Sequence, residues 1–67
     1  MRISVNGKEE NANSSTTVLD FLKSRGFDPA LVSVEHNGRI LEKEDWPEEA
    51  LNDGDELEIL FFMGGGV

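Results

Sequence analysis

The chain has 67 residues, which is the size of one small domain and leaves no room for a second hydrophobic core. It contains no cysteine and a single histidine, which excludes disulfides, thiolate metal sites and a cysteine nucleophile, and disfavours histidine-based metal clusters. Fourteen acidic residues against six basic ones give a net charge of −8, which argues against nucleic acid as a partner.

The N-terminal segment predicts a β-hairpin. Apolar and polar residues alternate over positions 1–5, which is typical of a half-buried strand. Asn6-Gly7 follows, and this dipeptide is the strongest two-residue hairpin signal because both positions must adopt positive φ. We therefore expect a second strand over residues 8–12 that pairs back on the first.

A short amphipathic helix is predicted next. Thr17 is a suitable N-cap, Asp20 lies three residues later as in a capping box, and Gly26 is expected to supply the C-cap. Leu19 should be only partly buried because it lies beside the main apolar stripe. The residues that share one helix face are Val18, Phe21, Leu22 and Arg25.

A second hairpin is predicted in the middle of the chain. Residues 31–36 favour a strand with Val32 and Val34 on one face. Asn37-Gly38 then turns the chain into a short partner strand over residues 39–41.

The polar residues around this hairpin are given structural interpretations. We expect His36 to face outward without a catalytic role. The charged segment 42–50 suits an irregular loop or a short helical turn, with its carboxylates solvated and Trp46 at the edge of the core. Residues 52–55 predict a tight turn and not a calcium site, because the EF-hand pattern is absent.

The last strand is predicted over residues 56–62, and its alternation separates two faces. Leu60 and Phe62 are expected to point outward beside acidic residues. They would form a docking patch with acidic borders, unless a loop or the following segment covers them. The side chains expected to point inward are Leu57, Ile59 and Phe61.

The negative charge is concentrated in the second half of the chain. Residues 37–67 carry nine acidic and two basic residues, whereas residues 1–36 are nearly neutral. The acidity either maintains solubility or steers the protein toward a basic partner. The longest apolar run is far shorter than the roughly 20 residues that span a bilayer, and no signal-peptide segment is evident, so we expect a cytoplasmic protein with no membrane partner.

The predicted order of hairpin, helix, hairpin, turn and strand indicates an α+β fold, with a mixed sheet of four to five strands packed on one helix. We place this domain at residues 1–62 and a flexible tail at residues 63–67. Three successive glycines in the tail have no side chains to pack. The tail is either a frayed terminus or a narrow thread that enters another protein's channel.

Several short motifs occur in this order together with the glycine-rich end. They are Val5-Asn6-Gly7-Lys8, Thr17-Val18-Leu19-Asp20-Phe21-Leu22, Val32-Ser33-Val34-Glu35-His36-Asn37, Asp53-Gly54-Asp55, Leu57-Glu58-Ile59 and Phe61-Phe62-Met63-Gly64-Gly65-Gly66. In order, spacing and ending, the chain resembles the ThiS family, ubiquitin-like sulfur carriers of thiamine thiazole synthesis with a β-grasp fold. The resemblance covers essentially the full length.

The resemblance implies that the chain is a carrier and not an enzyme, with no metal or cofactor of its own. In the family, an E1-like adenylyltransferase uses ATP and magnesium to adenylate the terminal glycine. A sulfur donor such as a cysteine desulfurase then supplies sulfur, and the resulting thiocarboxylate passes it to thiazole synthase. The reactive segment would be Gly64, Gly65 and Gly66, and the docking residues would be Leu60, Phe62 and Met63.

Val67 departs from the family pattern, which ends at the second glycine of the pair. A β-branched residue is poorly suited to a narrow channel. We therefore expect a protease to expose Gly66; the alternatives are that Val67 is an added residue or that it marks a carrier that works differently.

Three alternative functions stay open at this stage. The small subunit of molybdopterin synthase is similar in fold and tail but commonly longer. A protease-processed carrier for cysteine biosynthesis is kept open by Val67. An RNA-associated β-grasp domain is opposed by the net charge and by the glycine tail.

Overall fold

A computed structural model describes residues 1–62, so the predicted tail lies outside the described residues. Its secondary structure follows the predicted order. The elements are β1 (Arg2–Val5), β2 (Lys8–Asn11), α1 (Val18–Ser24), a 3₁₀ turn (Pro29–Leu31), β3 (Val32–His36), β4 (Arg39–Leu41), a second 3₁₀ turn (Lys43–Asp45) and β5 (Glu56–Phe61).

The strands of the described chain form one mixed sheet in the order β2-β1-β5-β3-β4. β1 and β5 run parallel, whereas β3 pairs antiparallel with both β4 and β5. The final strand therefore lies in the middle of the sheet. This is the predicted α+β architecture, with five strands and one helix.

Both Asn-Gly turns adopt the backbone that the sequence predicts. Asn6 and Gly7 have φ values of 53° and 82°, and Asn37 and Gly38 have values of 52° and 84°. Positive φ at both central positions matches the right-handed twist of the flanking strands, which explains why the dipeptide favours a two-residue hairpin.

The helix also begins and ends as predicted. The Thr17 hydroxyl accepts a hydrogen bond from the backbone N–H of Asp20 at 3.2 Å, which caps the N-terminus. At the other end Gly26 adopts φ of 82°, and the Phe27 N–H donates to the Leu22 carbonyl at 3.0 Å, as in a Schellman motif. Arg25 itself is the C-cap residue and is exposed, and Gly26 terminates the helix from the next position.

The core lies between the helix and one face of the sheet. Trp46 is 1% exposed and donates from Nε1 to the Leu41 carbonyl at 3.1 Å, so its ring is buried in the core and its polar atom is satisfied. The buried apolar side chains are Ile3, Val5, Val18, Phe21, Leu22, Val32, Val34, Trp46, Leu51, Leu57 and Ile59.

Two expectations about side-chain direction are wrong. Phe61 was expected to point into the core, but it is 57% exposed. It is opposite Val32 in the last pair of the β3–β5 ladder, and its ring packs on Phe27 with centroids 5.7 Å apart. His36 was expected to face outward, but it is buried, because it continues the inward alternation of Val32 and Val34.

Candidate functional site

Two exposed apolar side chains, Leu60 and Phe62, lie at the end of β5 and are called the apolar strip. Leu60 is 50% exposed and Phe62 is 54% exposed, so both side chains lie on the surface. Phe61 and Leu31 are exposed to a similar degree. Contiguous apolar side chains at a surface are a common feature of interaction sites. The role of Leu60 and Phe62 in docking stays a prediction.

At the end of the apolar strip, the backbone is still hydrogen-bonded to the rest of the domain. The backbone N–H of Phe62 donates to the Leu31 carbonyl at 3.1 Å, which joins the end of β5 to the 3₁₀ turn before β3. Phe62 is the last described residue. Met63 and the glycines at positions 64–66, which are the other predicted site residues, lie outside the described part.

Acidic side chains border the apolar strip on the outer face of the sheet. Along β5, Glu56 and Glu58 alternate with the buried residues and so share a face with Leu60. Glu58 is directly opposite Glu35 of β3. Ile40 of β4, which is 75% exposed, is in turn opposite Glu35. Like charges directly opposite each other destabilise a strand pair. Binding of a basic partner to this face would therefore relieve the repulsion between Glu35 and Glu58.

Lys43 contacts the same strip from the second 3₁₀ turn. Its Nζ atom lies 5.3 Å from the centroid of the Phe62 ring and 5.8 Å from that of Trp46. Both distances are within the range of cation–π attraction. The sequence gives no local signal for this contact, because 19 positions separate Lys43 from Phe62.

The one histidine of the chain lies between two carboxylates. His36 Nδ1 is 2.7 Å from Glu49 Oε2, and Nε2 is 2.7 Å from Asp55 Oδ2. Asp55 also accepts hydrogen bonds from the Asn52 backbone N–H and the Asn37 side-chain amide. Glu49 is half-buried, so the expectation that all acidic side chains of the loop are solvated is wrong for this residue.

The two carboxylates favour a protonated imidazole. Burial alone lowers the pKa of His36, but the hydrogen bonds to Asp55 and Glu49 and their negative charges outweigh it and raise the pKa above its ordinary value of 6.5. For Asp55 burial raises the pKa, but hydrogen bonds led by the Asn52 N–H, together with the His36 charge, bring the pKa below 3.8.

The His36 cluster, formed by His36, Glu49 and Asp55, links β3 to the charged segment 42–50 and to the turn before β5. Both ring nitrogens are occupied by carboxylates, which leaves neither available as a base or a metal ligand. Within residues 1–62, no group of three or more His, Cys, Asp or Glu side chains is placed to hold a metal ion. The described helix is also too short and too polar to cross a membrane.

Comparison with known proteins decides the family. The sequence model of the ThiS family matches residues 2–66, which is nearly the whole chain. The chain belongs to the ThiS family. The match ends at Gly66 and leaves out Val67.

Relatives of two kinds are similar to the chain. A thiazole synthase from Paramagnetospirillum magneticum is 44% identical over 66 residues, covering 98% of this chain and 20% of that protein. The chain therefore spans about a fifth of the length of this relative. The sulfur carrier protein ThiS from Bacillus subtilis is 38% identical over 65 residues, covering 96% of this chain and 98% of that protein.

A solved ThiS structure confirms the fold. The crystal structure of the thiamine biosynthesis protein ThiS from Geobacter metallireducens superposes with a TM-score of 0.85 at 38% identity, covering 98% of this chain and 100% of that one. The five-stranded sheet and single helix are thus the ubiquitin-like β-grasp fold that the ThiS family resemblance implied.

Proposed function

We propose that the chain is the sulfur carrier of thiamine biosynthesis and that its glycine terminus carries the sulfur as a thiocarboxylate. The family match over residues 2–66 is the observation that carries this proposal. A relative that covers nearly the same length is named a sulfur carrier protein. A ThiS chain of this kind is a carrier and not an enzyme, so the catalytic groups belong to its partners.

The chemistry of sulfur transfer fits the composition. The chain has no cysteine, so a covalently held sulfur atom needs another attachment point. In the proposed sequence an oxygen of the Gly66 carboxylate bonds to the α-phosphorus of ATP, and pyrophosphate leaves. Hydrosulfide supplied by the sulfur donor then bonds to the acyl carbon, the acyl C–O bond to the adenylate breaks, and AMP leaves, which yields the thiocarboxylate. The E1-like adenylyltransferase supplies the ATP and magnesium site for the first step.

Glycine is suited to the reacting end for a steric reason. The acyl carbon must come within roughly 3–3.5 Å of the reacting atom inside the partner, and a Cβ would widen the segment and restrict its backbone. The apolar strip of Leu60 and Phe62 lies immediately before this segment, on the surface of the domain. We place the contact with the activating enzyme there, with Met63 as its continuation.

Thiazole synthase is the proposed acceptor of the sulfur. The thiazole synthase from Paramagnetospirillum magneticum contains a segment similar to this chain within a longer protein. A carrier segment and a thiazole synthase in one chain support the proposal that the two act together.

The proposal is tested by following the terminal carboxylate of a chain that ends at Gly66. With the E1-like enzyme, ATP and magnesium, this chain should support ATP–pyrophosphate exchange. After a sulfur donor is added, its intact mass should increase by the difference between a sulfur and an oxygen atom. The control chain lacks Gly64, Gly65 and Gly66. Unimpaired adenylation of this control would contradict the proposal.

A further inference from the structure

Lys43 lies in a strongly acidic segment, but its ammonium group contacts aromatic rings. Glu42, Glu44 and Asp45 are its neighbours in sequence. The ion pairs found among residues 1–62 involve other basic groups, and none of them includes Lys43. Nζ instead lies 5.3 Å from the ring centroid of Phe62 and 5.8 Å from that of Trp46.

The two rings differ in how firmly they are held. Trp46 is 1% exposed, and its Nε1 donates to the Leu41 carbonyl, so its ring has a fixed place in the core. Phe62 is 54% exposed, its backbone N–H donates to the Leu31 carbonyl, and Lys43 approaches its ring. Lys43 therefore joins a fixed ring to an exposed one.

We propose that Lys43 is a positioning residue for the adenylation of this carrier: it holds the Phe62 ring beside the 3₁₀ turn of residues 43–45, so that this ring is already ordered when the activating enzyme binds. This inference rests on the proposed function. Ordering an exposed side chain during association weakens binding, and a side chain ordered beforehand avoids that loss. Lys43 thus acts through Phe62 and contacts no reacting atom.

The expected effect is on carrier recognition and not on the chemical step. A cation–π contact at an exposed site corresponds to roughly a two- to five-fold change in an equilibrium constant. Lys43→Met keeps the aliphatic stem and removes the charge, so it should raise the KM for carrier in ATP–pyrophosphate exchange by about this factor and leave kcat unchanged. Lys43→Arg should behave like the unaltered chain, because guanidinium also binds aromatic faces.

The control variant is Lys23→Met, which removes the same charge from an exposed position on α1. All four chains end at Gly66 and are assayed with the E1-like enzyme. A raised KM in Lys23→Met equal to that of Lys43→Met would assign the effect to net charge and overturn the inference. An unchanged KM in Lys43→Met would also overturn it. Failure of the unaltered chain to be adenylated would instead contradict the proposed function.

A second measurement tests the contact without any partner. In the free protein, the ε-methylene protons of Lys43 should be shifted upfield in the NMR spectrum by the two ring currents. Phe62→Leu should move these resonances downfield, whereas Leu60→Ala should leave them in place. Resonances that do not respond to Phe62→Leu would overturn the inference even where adenylation proceeds normally.

Discussion

Asn6 and Asn37 each act in a turn and in the sheet. Asn6 Oδ1 accepts from the Ile59 N–H at 2.7 Å, and its Nδ2 donates to the Ile59 carbonyl at 3.2 Å. Asn37 Oδ1 accepts from the Glu56 N–H at 2.8 Å. Asparagine tolerates the left-handed backbone of a tight turn and also offers a side-chain amide. Each hairpin is thereby hydrogen-bonded to β5, the strand that leads to the glycine segment.

Single substitutions on the exposed strip should separate docking from folding. Leu60→Ala or Phe62→Ala should weaken binding to the E1-like partner by about 1–3 kcal/mol, the scale of a buried apolar anchor. Both side chains are about half exposed in the free domain, so the free energy of unfolding should change little. Titration calorimetry and thermal unfolding measure the two effects.

Ile40→Ala is the matched control for this prediction. Ile40 is 75% exposed on the edge strand β4 and lies outside the predicted docking residues. Its substitution should cost less binding free energy than either of the other two. Equal partner affinity in all three variants would show that the strip at the end of β5 is not the docking surface.

At the scale of elements, local signals predicted the hairpins and the helix. The Asn-Gly turns and the Thr17 cap depend on residues within a few positions of each other, which a sequence displays directly. The His36 cluster combines β3 with two segments 13 and 19 positions later. The alternation with Val32 and Val34 places His36 inward, contrary to the expectation that it faces outward, and Glu49 and Asp55 satisfy its two ring nitrogens there.

The candidate site shows the same difference between local patterns, which the sequence displays, and contacts between distant segments, which it does not. The outward direction of Leu60 follows from the period-two alternation of β5, so the sequence could predict it. Lys43 reaches Phe62 only because the second 3₁₀ turn lies beside the end of β5. No periodicity encodes a contact of that kind. The prediction for Phe61 is wrong because alternation indicates on which face of the sheet a side chain lies but not how far the core extends along that face.

The His36 cluster should make stability depend on pH. The pKa of His36 is raised in the folded state, so its contribution is complete below its ordinary value of 6.5 and is lost as the pH rises through the higher folded value. The pKa of Asp55 is lowered, so its contribution is present above 3.8 and is lost as the pH falls through the lower folded value. The stabilisation is therefore greatest between these two ordinary values.

Thermal unfolding of the wild type and of His36→Gln measures this dependence. The wild-type Tm should fall as the pH rises above 6.5, and the Tm of His36→Gln should stay nearly constant over that range. His36 is the single histidine of the chain, so no other imidazole contributes to the comparison. Parallel Tm profiles for the two proteins would mean that the cluster is not linked to folding.

At the scale of the whole molecule, the sheet order fixes where the glycine segment begins. β5 is the central strand and is hydrogen-bonded to β1 on one side and β3 on the other. β1 pairs with β5 only at Glu56 and Leu57, whereas β3 pairs with β5 as far as Phe61. The end of β5 is therefore held by β3 and by the hydrogen bond from the Phe62 N–H to the Leu31 carbonyl. The acidic outer face lies beside it, and its charge can steer a basic partner to the same end.

The carboxyl group of Gly66 is available for activation only when nothing follows it. In this sequence Val67 follows Gly66, whereas the family match ends at Gly66. In a chain that ends at Val67, the Gly66 carbonyl is part of an amide, and the free carboxylate belongs to a β-branched residue that crowds the carbon to be attacked. We therefore expect the chain ending at Val67 to be a poor substrate for adenylation and the chain ending at Gly66 to be a good one.

Side-by-side ATP–pyrophosphate exchange measures the difference, with Val67→Gly as the control for length without branching. Intact mass of the carrier isolated from its native cells shows which form is present. Equal exchange rates for the two forms, together with a native mass that retains the valine, would show that the carrier uses Val67 as it stands and needs no trimming.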